Sequence, residues 1–256
     1  MPQSLKFEGT RNSYLLVPNA DGINLGTSDY TIEWFQYETD NNPTPRIYEI
    51  GYFLLGNIIT GASTIANVFV YWTPICAPNF TINLPENGGH RNKWIHFAIS
   101  RNSGITRVFM NGIMKYSLVD NNDLSSTYNL GIGNESYDQT DDAAFGGYLY
   151  GFTWTKGIGY YTSNFPVPTE LRPIGPETVL MFNAPSYDGY LGHTVSIHNV
   201  YPSDFVPPAF YVPPPPPDYM GRSLYTDNAM VYYKPHSLAA GGIGTVKNSR
   251  HKSKKT

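Results

Sequence analysis

The sequence predicts an all-β fold, a two-sheet antiparallel sandwich, and three observations carry that prediction. Short apolar segments recur between turn signals along the chain, with almost no helical periodicity. Tyrosine is abundant, at 21 residues beside 13 phenylalanines, and such aromatics suit half-buried pleated surfaces. Glycine and proline number 24 and 21, enough for many tight turns. With 256 residues, 41% of them hydrophobic, the chain can build one large all-β domain or two small ones.

The elements follow in order. "NSYLLVP" is a strand bounded by Asn12 and Pro18, and "DYTIEWFQYE" a second one after the polar "LGTSD". "YFLLGNIIT" and "IANVFVYW" are of strand length and fall short of the roughly 20 residues of a spanning helix. "NKWIHFAISR" runs to Asn102-Ser103-Gly104, with Ile95, Phe97 and Ile99 on one side and Trp94, His96 and Ala98 on the other. "TRVFMNG" ends at Asn111-Gly112, a pair that favours a type I′ hairpin because both central positions need positive φ, and "IMKYSL" returns. "YNLGIG" and "GGYLYGFTWT" come next. Strict alternation puts Tyr148, Tyr150, Phe152 and Trp154 on one face, with Leu149, Gly151 and Thr153 opposite. The connection "KGIGYYTSNFPVPTE" is unusually aromatic for a loop. Tyr161 and Phe165 are expected to pack on the body, and Pro166 and Pro168 to keep the link extended. "TVLMFNA" supplies a late strand.

A boundary is expected near residue 205, with a body over 1–205 and an extended arm over 206–256. Within the arm, Pro213, Pro214, Pro215, Pro216 and Pro217 enforce a polyproline II rod. The net charge of −3 hides an asymmetry: residues 1–233 hold all 20 acidic and 11 basic side chains, giving −9, and the last 23 residues hold six bases and no acid. The start lacks a charged and then apolar leader pattern, so no signal peptide is expected. The single cysteine, Cys76, lies in an apolar "TPICAP" context and reads as a small core residue.

"SLKFEGTRNSYLLVPNADGINLGTSDYTIEWF" resembles the opening of laminin-G-like, concanavalin A-like jelly-roll domains, through Phe7 to Gly9, Tyr14 to Pro18 and Tyr30 to Trp34. "KWIHFAISRNSGITRVFMNGIMK" resembles their central hairpin, and "LGIG" and "GGYLYGFTWTKG" their closing strands. "KGIGYYTSNFPVPTE", "GPETVLMFNA" and "GHTVSIHNV" resemble an extension found in structural proteins of phages and large DNA viruses. The resemblance covers about residues 4 to 205. It implies a jelly-roll body and a non-enzymatic structural component of a virus particle, a minor capsid or capsid-associated protein assembled in the host cytoplasm. Its partners would be other virion proteins such as the major capsid protein, or copies of itself. The alternative is a carbohydrate-binding adhesin for host attachment, and a glycosidase ranks last.

The residues support no catalytic set. No Glu-x-Asp-x-x-Glu stretch offers paired carboxylates, and Glu33 and Glu38, five apart, fall on opposite faces of a strand. A nucleophile elbow and a phosphate loop are missing, and the six histidines have no ligand spacing. Carbohydrate binding would use Tyr71 and Trp72 for stacking, although the same pair fits one position inside a sandwich and one outside. No cofactor is expected beyond calcium, for which Asp123 in "DNND" and Asp138 and Asp142 in "DQTDD" offer loop oxygens; solvated turns are the competing reading. The partner-binding arm would use Pro213 to Pro217, Tyr219, Tyr232, Tyr233, Lys247, Arg250, Lys252, Lys254 and Lys255. The basic end could also touch nucleic acid through phosphates, without base stacking.

Overall fold

The computed structural model describes residues 3–19, 23–39, 42, 44–51, 60–65, 68–72, 80–83, 90–182 and 194–210, with the backbone alone (and Ala62) across 60–83. Among the described residues fifteen strands form, all paired antiparallel. They are β1 (Ser4–Glu8), β2 (Tyr14–Val17), β3 (Tyr30–Glu38), β4 (Arg46–Ile50), β5 (Thr60–Ile65), β6 (Val68–Trp72), β7 (Phe80–Asn83) and β8 (Ile95–Asn102). After these come β9 (Ile105–Met110), β10 (Ile113–Val119), β11 (Leu130–Ile132), β12 (Gly146–Lys156), β13 (Thr178–Phe182), β14 (Ser196–His198) and β15 (Val200–Ser203). The large sheet has the order β10-β9-β8-β3-β12-β1-β15, with β13 beside the second half of β12. The second sheet has the order β14-β2-β11-β4-β5-β6-β7. No helix among the described residues is long and apolar enough to cross a membrane.

The core lies between the sheets. Leu5, Phe7, Ile32, Trp34, Phe97, Ile99, Val108, Leu149, Phe152 and Trp154 enter from the large sheet, and Leu15, Val17, Ile47, Tyr48, Ile50, Leu130 and Ile132 from the second. Trp34 stacks on Phe97 at 5.6 Å and meets Tyr48 edge-on at 5.9 Å. Its indole N–H donates to Gln36 Oε1 at 3.0 Å, so the Trp34 donor is met, whereas the buried Trp154 Nε1 has no partner among the described residues. The expected hairpin turn is present, with φ of 50° at Asn111 and 73° at Gly112.

One expectation fails by a single residue. The pairing of β12 with β3 shifts between Tyr150 and Thr153, at a bulge centred on Gly151 with φ of +62°. Before the bulge Leu149 points to the core and Tyr150 away from it. After the bulge Phe152 and Trp154 point to the core. Tyr148 and Tyr150 therefore do not share a face with Phe152 and Trp154. A left-handed residue resets the two-residue period, which plain alternation cannot foresee.

The outer face of the large sheet is covered by two segments of the chain. Residues 157–174 form a strap. Its Phe165 N–H donates to Gly112 O at 2.9 Å, and Asn164 Oδ1 accepts from Met114 N at 2.8 Å, so it is stitched to the β9–β10 hairpin. Tyr161 and Phe165 stack at 3.7 Å and both lie on Phe109, at 5.9 and 5.2 Å. The packing expected for this link is thus present. Residues 204–210 form the other cover, ending in a 3-10 turn at Pro208–Phe210. Val206 is buried, and Phe210 packs on Phe35 and Tyr150 at 5.4 and 4.8 Å. Apolar anchors in 205–210 thus find a sheet face to cover, within a few residues of the boundary expected near 205. The two ends of the body meet at β1 and β15, where Ser4 pairs with Ser203, Gln3 Nε2 donates to Asp204 Oδ1 at 2.8 Å, and Ser4 Oγ donates to Phe205 O at 2.7 Å. Residues 211–256, with Pro213 to Pro217, Tyr219, Tyr232, Tyr233 and the six terminal bases, lie outside the described residues, as do Cys76 and His193.

Candidate functional site

Three neighbouring strands set out the outer face of the large sheet in rows. Tyr37 pairs with Tyr148; Phe35 with His96 and Tyr150; Glu33 with Ala98 and Thr153; Thr31 with Ser100 and Thr155. The strap crosses the Thr31 and Glu33 rows and the terminal segment crosses the Tyr37 and Phe35 rows. Beside the strap, over the Glu33 and Phe35 rows, is a cleft of about 220 Å3, lined by Glu33, Phe35, His96, Gly151, Thr153, Tyr161, Pro168, Glu170, Leu171, Arg172 and Pro173. The bulge helps to make room: a Cβ on Gly151 would collide with the Leu171 side chain.

Glu33 is the polar centre of the cleft. Tyr161 donates its hydroxyl to Oε2 at 2.6 Å, and Arg172 donates Nε to Oε1 at 3.1 Å. Arg172 Nη2 also donates to the Tyr161 oxygen at 2.8 Å, and His96 Nε2 stands 3.5 Å from Oε2. Burial alone would raise the Glu33 pKa, but the bonds from His96 and Tyr161 and the Arg172 charge outweigh it, so the carboxyl is held below its ordinary range. Burial and the Glu33 charge push the Tyr161 phenol up. Tyr160 is pushed to about 12, by burial first and then by its bond to Glu177. The Arg172 guanidinium lies over the Tyr160 ring at 3.6 Å. His96 is 1% exposed, and its Nδ1 has no hydrogen-bond partner.

Chemically the site presents a fixed set of hydrogen-bonding groups. A glycosidase acid needs a carboxyl held protonated near neutral pH, whereas Glu33 is held ionised. Phe35, Leu171, Pro168 and Pro173 supply apolar lining beside a fixed carboxylate, guanidinium and phenol. Beyond Phe35, the Tyr37, Trp94 and Tyr148 rings carry Phe205 at 4.7, 5.4 and 4.9 Å, and Trp94 Nε1 lacks a partner.

The second sheet carries a different cluster on its outer face. Buried Arg46 donates to Glu49 at 3.0 Å and to Glu135 at 3.2 Å. Burial pushes Glu49 up to about 7; Arg46 opposes this, and Glu135 adds to it. The β11–β12 loop closes over this cluster at Gly131, where a Cβ would collide with Asn134 O and the Ser136 backbone.

The residues anticipated from sequence fall elsewhere. Asp123 accepts from Ser125 N and Oγ, at 2.9 and 2.5 Å, which is a local turn; those bonds hold it below its ordinary value. Asp138 and Asp142 lie in the β11–β12 loop, where the Asp142 carbonyl accepts from Thr44 N and Oγ1, both at 3.2 Å. The structure does not join the three aspartates, and no group of three His, Cys, Asp or Glu suited to a metal occurs among the described residues. Tyr71 and Trp72 sit on β6 in register with Ala62 and Gly61, which places Tyr71 in the row of Tyr48 and Trp72 in the row of Glu49. Their side chains are outside the described ones. Glu33 and Glu38 do face opposite ways, Glu33 to the cleft and Glu38 to a buried contact with Arg91 at 3.2 Å. Sequence reading weighed Glu33 only as a catalyst and passed over Arg172. The one available signal was the density of aromatics in the strap.

No family model matches the chain, and no curated protein matches its sequence. Solved structures do. A heptameric SAP-like pentraxin from Limulus polyphemus aligns over 79% of this chain and 94% of its own, with 14% identity and a TM-score of 0.55. A candidate carbohydrate binding protein from Bacteroides ovatus aligns over 79% of this chain and 61% of its own, with 13% identity and a TM-score of 0.55. Domains LG4-5 of the mouse laminin alpha1 chain align over 68% and 47%, with 12% identity and a TM-score of 0.45. The first two likenesses agree with the two antiparallel sheets described above: the fold is the concanavalin A-like, laminin-G-like jelly roll.

Proposed function

We propose that this chain is a non-catalytic carbohydrate-binding module, and that the outer cleft of the large sheet receives one sugar ring. The observation that carries this reading is the cleft's composition. Apolar lining suits the C–H face of a pyranose, and the Glu33–Tyr161–Arg172 network beside it supplies polar groups for hydroxyls. The volume of about 220 Å3 is below the roughly 300–1,000 Å3 of drug-sized pockets, so it suits a single ring. One structure of the same fold is named for carbohydrate binding, which agrees with this reading.

The test is a glycan array probed with the full chain, followed by titration of the best ligand. Arg172→Ala and Leu171→Ala should each weaken binding about tenfold or more, with Trp72→Ala as the control for the second sheet. Melting curves separate lost binding from lost folding. An array without a ligand, or binding that depends on Trp72 and is indifferent to Arg172 and Leu171, would sink the cleft assignment. The particle-component reading rests on the likeness of the strap sequence and on the arm; its test belongs to the whole molecule and is given below.

A further inference from the structure

One charge at the cleft is left unspent, and it is negative. Glu33 is matched by Arg172 and Tyr161, and Arg172 is in turn held over Tyr160. Glu170, on the rim two residues before Arg172, is exposed and makes no hydrogen bond or ion pair among the described residues. In the same cleft, the buried imidazole of His96 leaves Nδ1 without a partner. That ring lies in the cleft wall, so its signals report on what enters the cleft.

We propose that the ligand of the cleft is a sugar with a free amino group, of the hexosamine class. Its ammonium pairs with Glu170 on the rim, and the apolar ring face rests on Leu171 and Pro168. Acidic sugars are repelled by Glu170, the unmatched carboxylate of the cleft, and by a chain whose first 233 residues carry 20 acidic against 11 basic side chains. N-acylation removes the charge and with it the pairing. This inference rests on the glycan reading above and goes further by fixing the ligand's charge.

Isotope-labelled full chain, titrated at physiological salt with glucosamine, N-acetylglucosamine and glucuronic acid, provides the test, with the His96 imidazole signals as the local readout. Glucosamine should shift those signals at a Kd roughly fivefold below that of N-acetylglucosamine, the upper range for one exposed ion pair, and glucuronic acid should bind weakest. Glu170→Gln should erase that preference and leave the melting temperature unchanged. Equal or tighter binding of either other sugar, or a preference that survives Glu170→Gln, overturns the amine assignment and leaves the glycan reading standing. Failure of all three sugars together with an empty array overturns both.

Discussion

Two carboxylates, Glu33 and Glu49, show how burial can be answered in opposite ways. Glu33 meets a phenol, a guanidinium and an imidazole, so it stays ionised; Glu49 meets Arg46 but also Glu135, so burial wins and it rises to about 7. The consequences for stability have opposite signs. A folded-state pKa raised from 4.5 to about 7 gives Glu49 a contribution that is full below about pH 4.5 and gone once pH passes about 7. The lowered pKa of Glu33 gives a contribution present above its ordinary value and lost as pH falls below it. The melting temperature should therefore fall between pH 5 and pH 8, and Glu49→Gln should flatten that fall, as thermal scans at the two pH values would show. An unchanged slope in the variant would remove Glu49 from the account. None of this was visible in the sequence, because Arg46, Glu49 and Glu135 converge only after the β11–β12 loop folds back over Gly131.

At the scale of elements, many strands were legible, though β4 and β7 were not named and the expected strand "YFLLGNIIT" lies almost wholly outside the described residues; what covers the sheet was not legible. Segments such as "DYTIEWFQYE" and "NKWIHFAISR" announce β3 and β8 because alternation and turn residues act over neighbours, and the structure keeps their faces. The bulge at Gly151 was hidden, since one left-handed glycine looks like any other glycine in a strand. The cleft was hidden for a further reason: Glu33 and Arg172 are 139 residues apart and meet through the strap. The strap itself was half legible, as two tyrosines and a phenylalanine in a loop need something to pack on. Its hold is testable. Phe165→Ala removes the ring that stacks on Tyr161 and covers Phe109, and should cost about 1–3 kcal/mol, or roughly 2–4 °C in melting temperature for each kcal/mol. Amide exchange should rise over 157–174 far more than over β3, and a uniform rise would show that the strap is not a separate unit of stability.

For the whole molecule, the expectation is a jelly-roll body complete by Phe210. A chain ending at Val212 should melt within about 2 °C of the full chain, since a surface segment away from the core seldom contributes more. If the arm tethers the protein in a particle, that same truncation should abolish incorporation while glycan binding persists, which sedimentation of assembled particles would reveal. Normal incorporation would remove the tether. The meeting of the body's two ends has a mechanical consequence. β1 and β15 are antiparallel neighbours, and tension applied at Gln3 and beyond Asp204 acts across their ladder at its open end. Once the Phe205 and Phe210 anchors let go, force would be borne by one rung of hydrogen bonds at a time, from Ser4–Ser203 towards Phe7–Val200. Such a ladder unzips under loads that strands pulled in shear would resist, so a body held by both ends yields first at this seam.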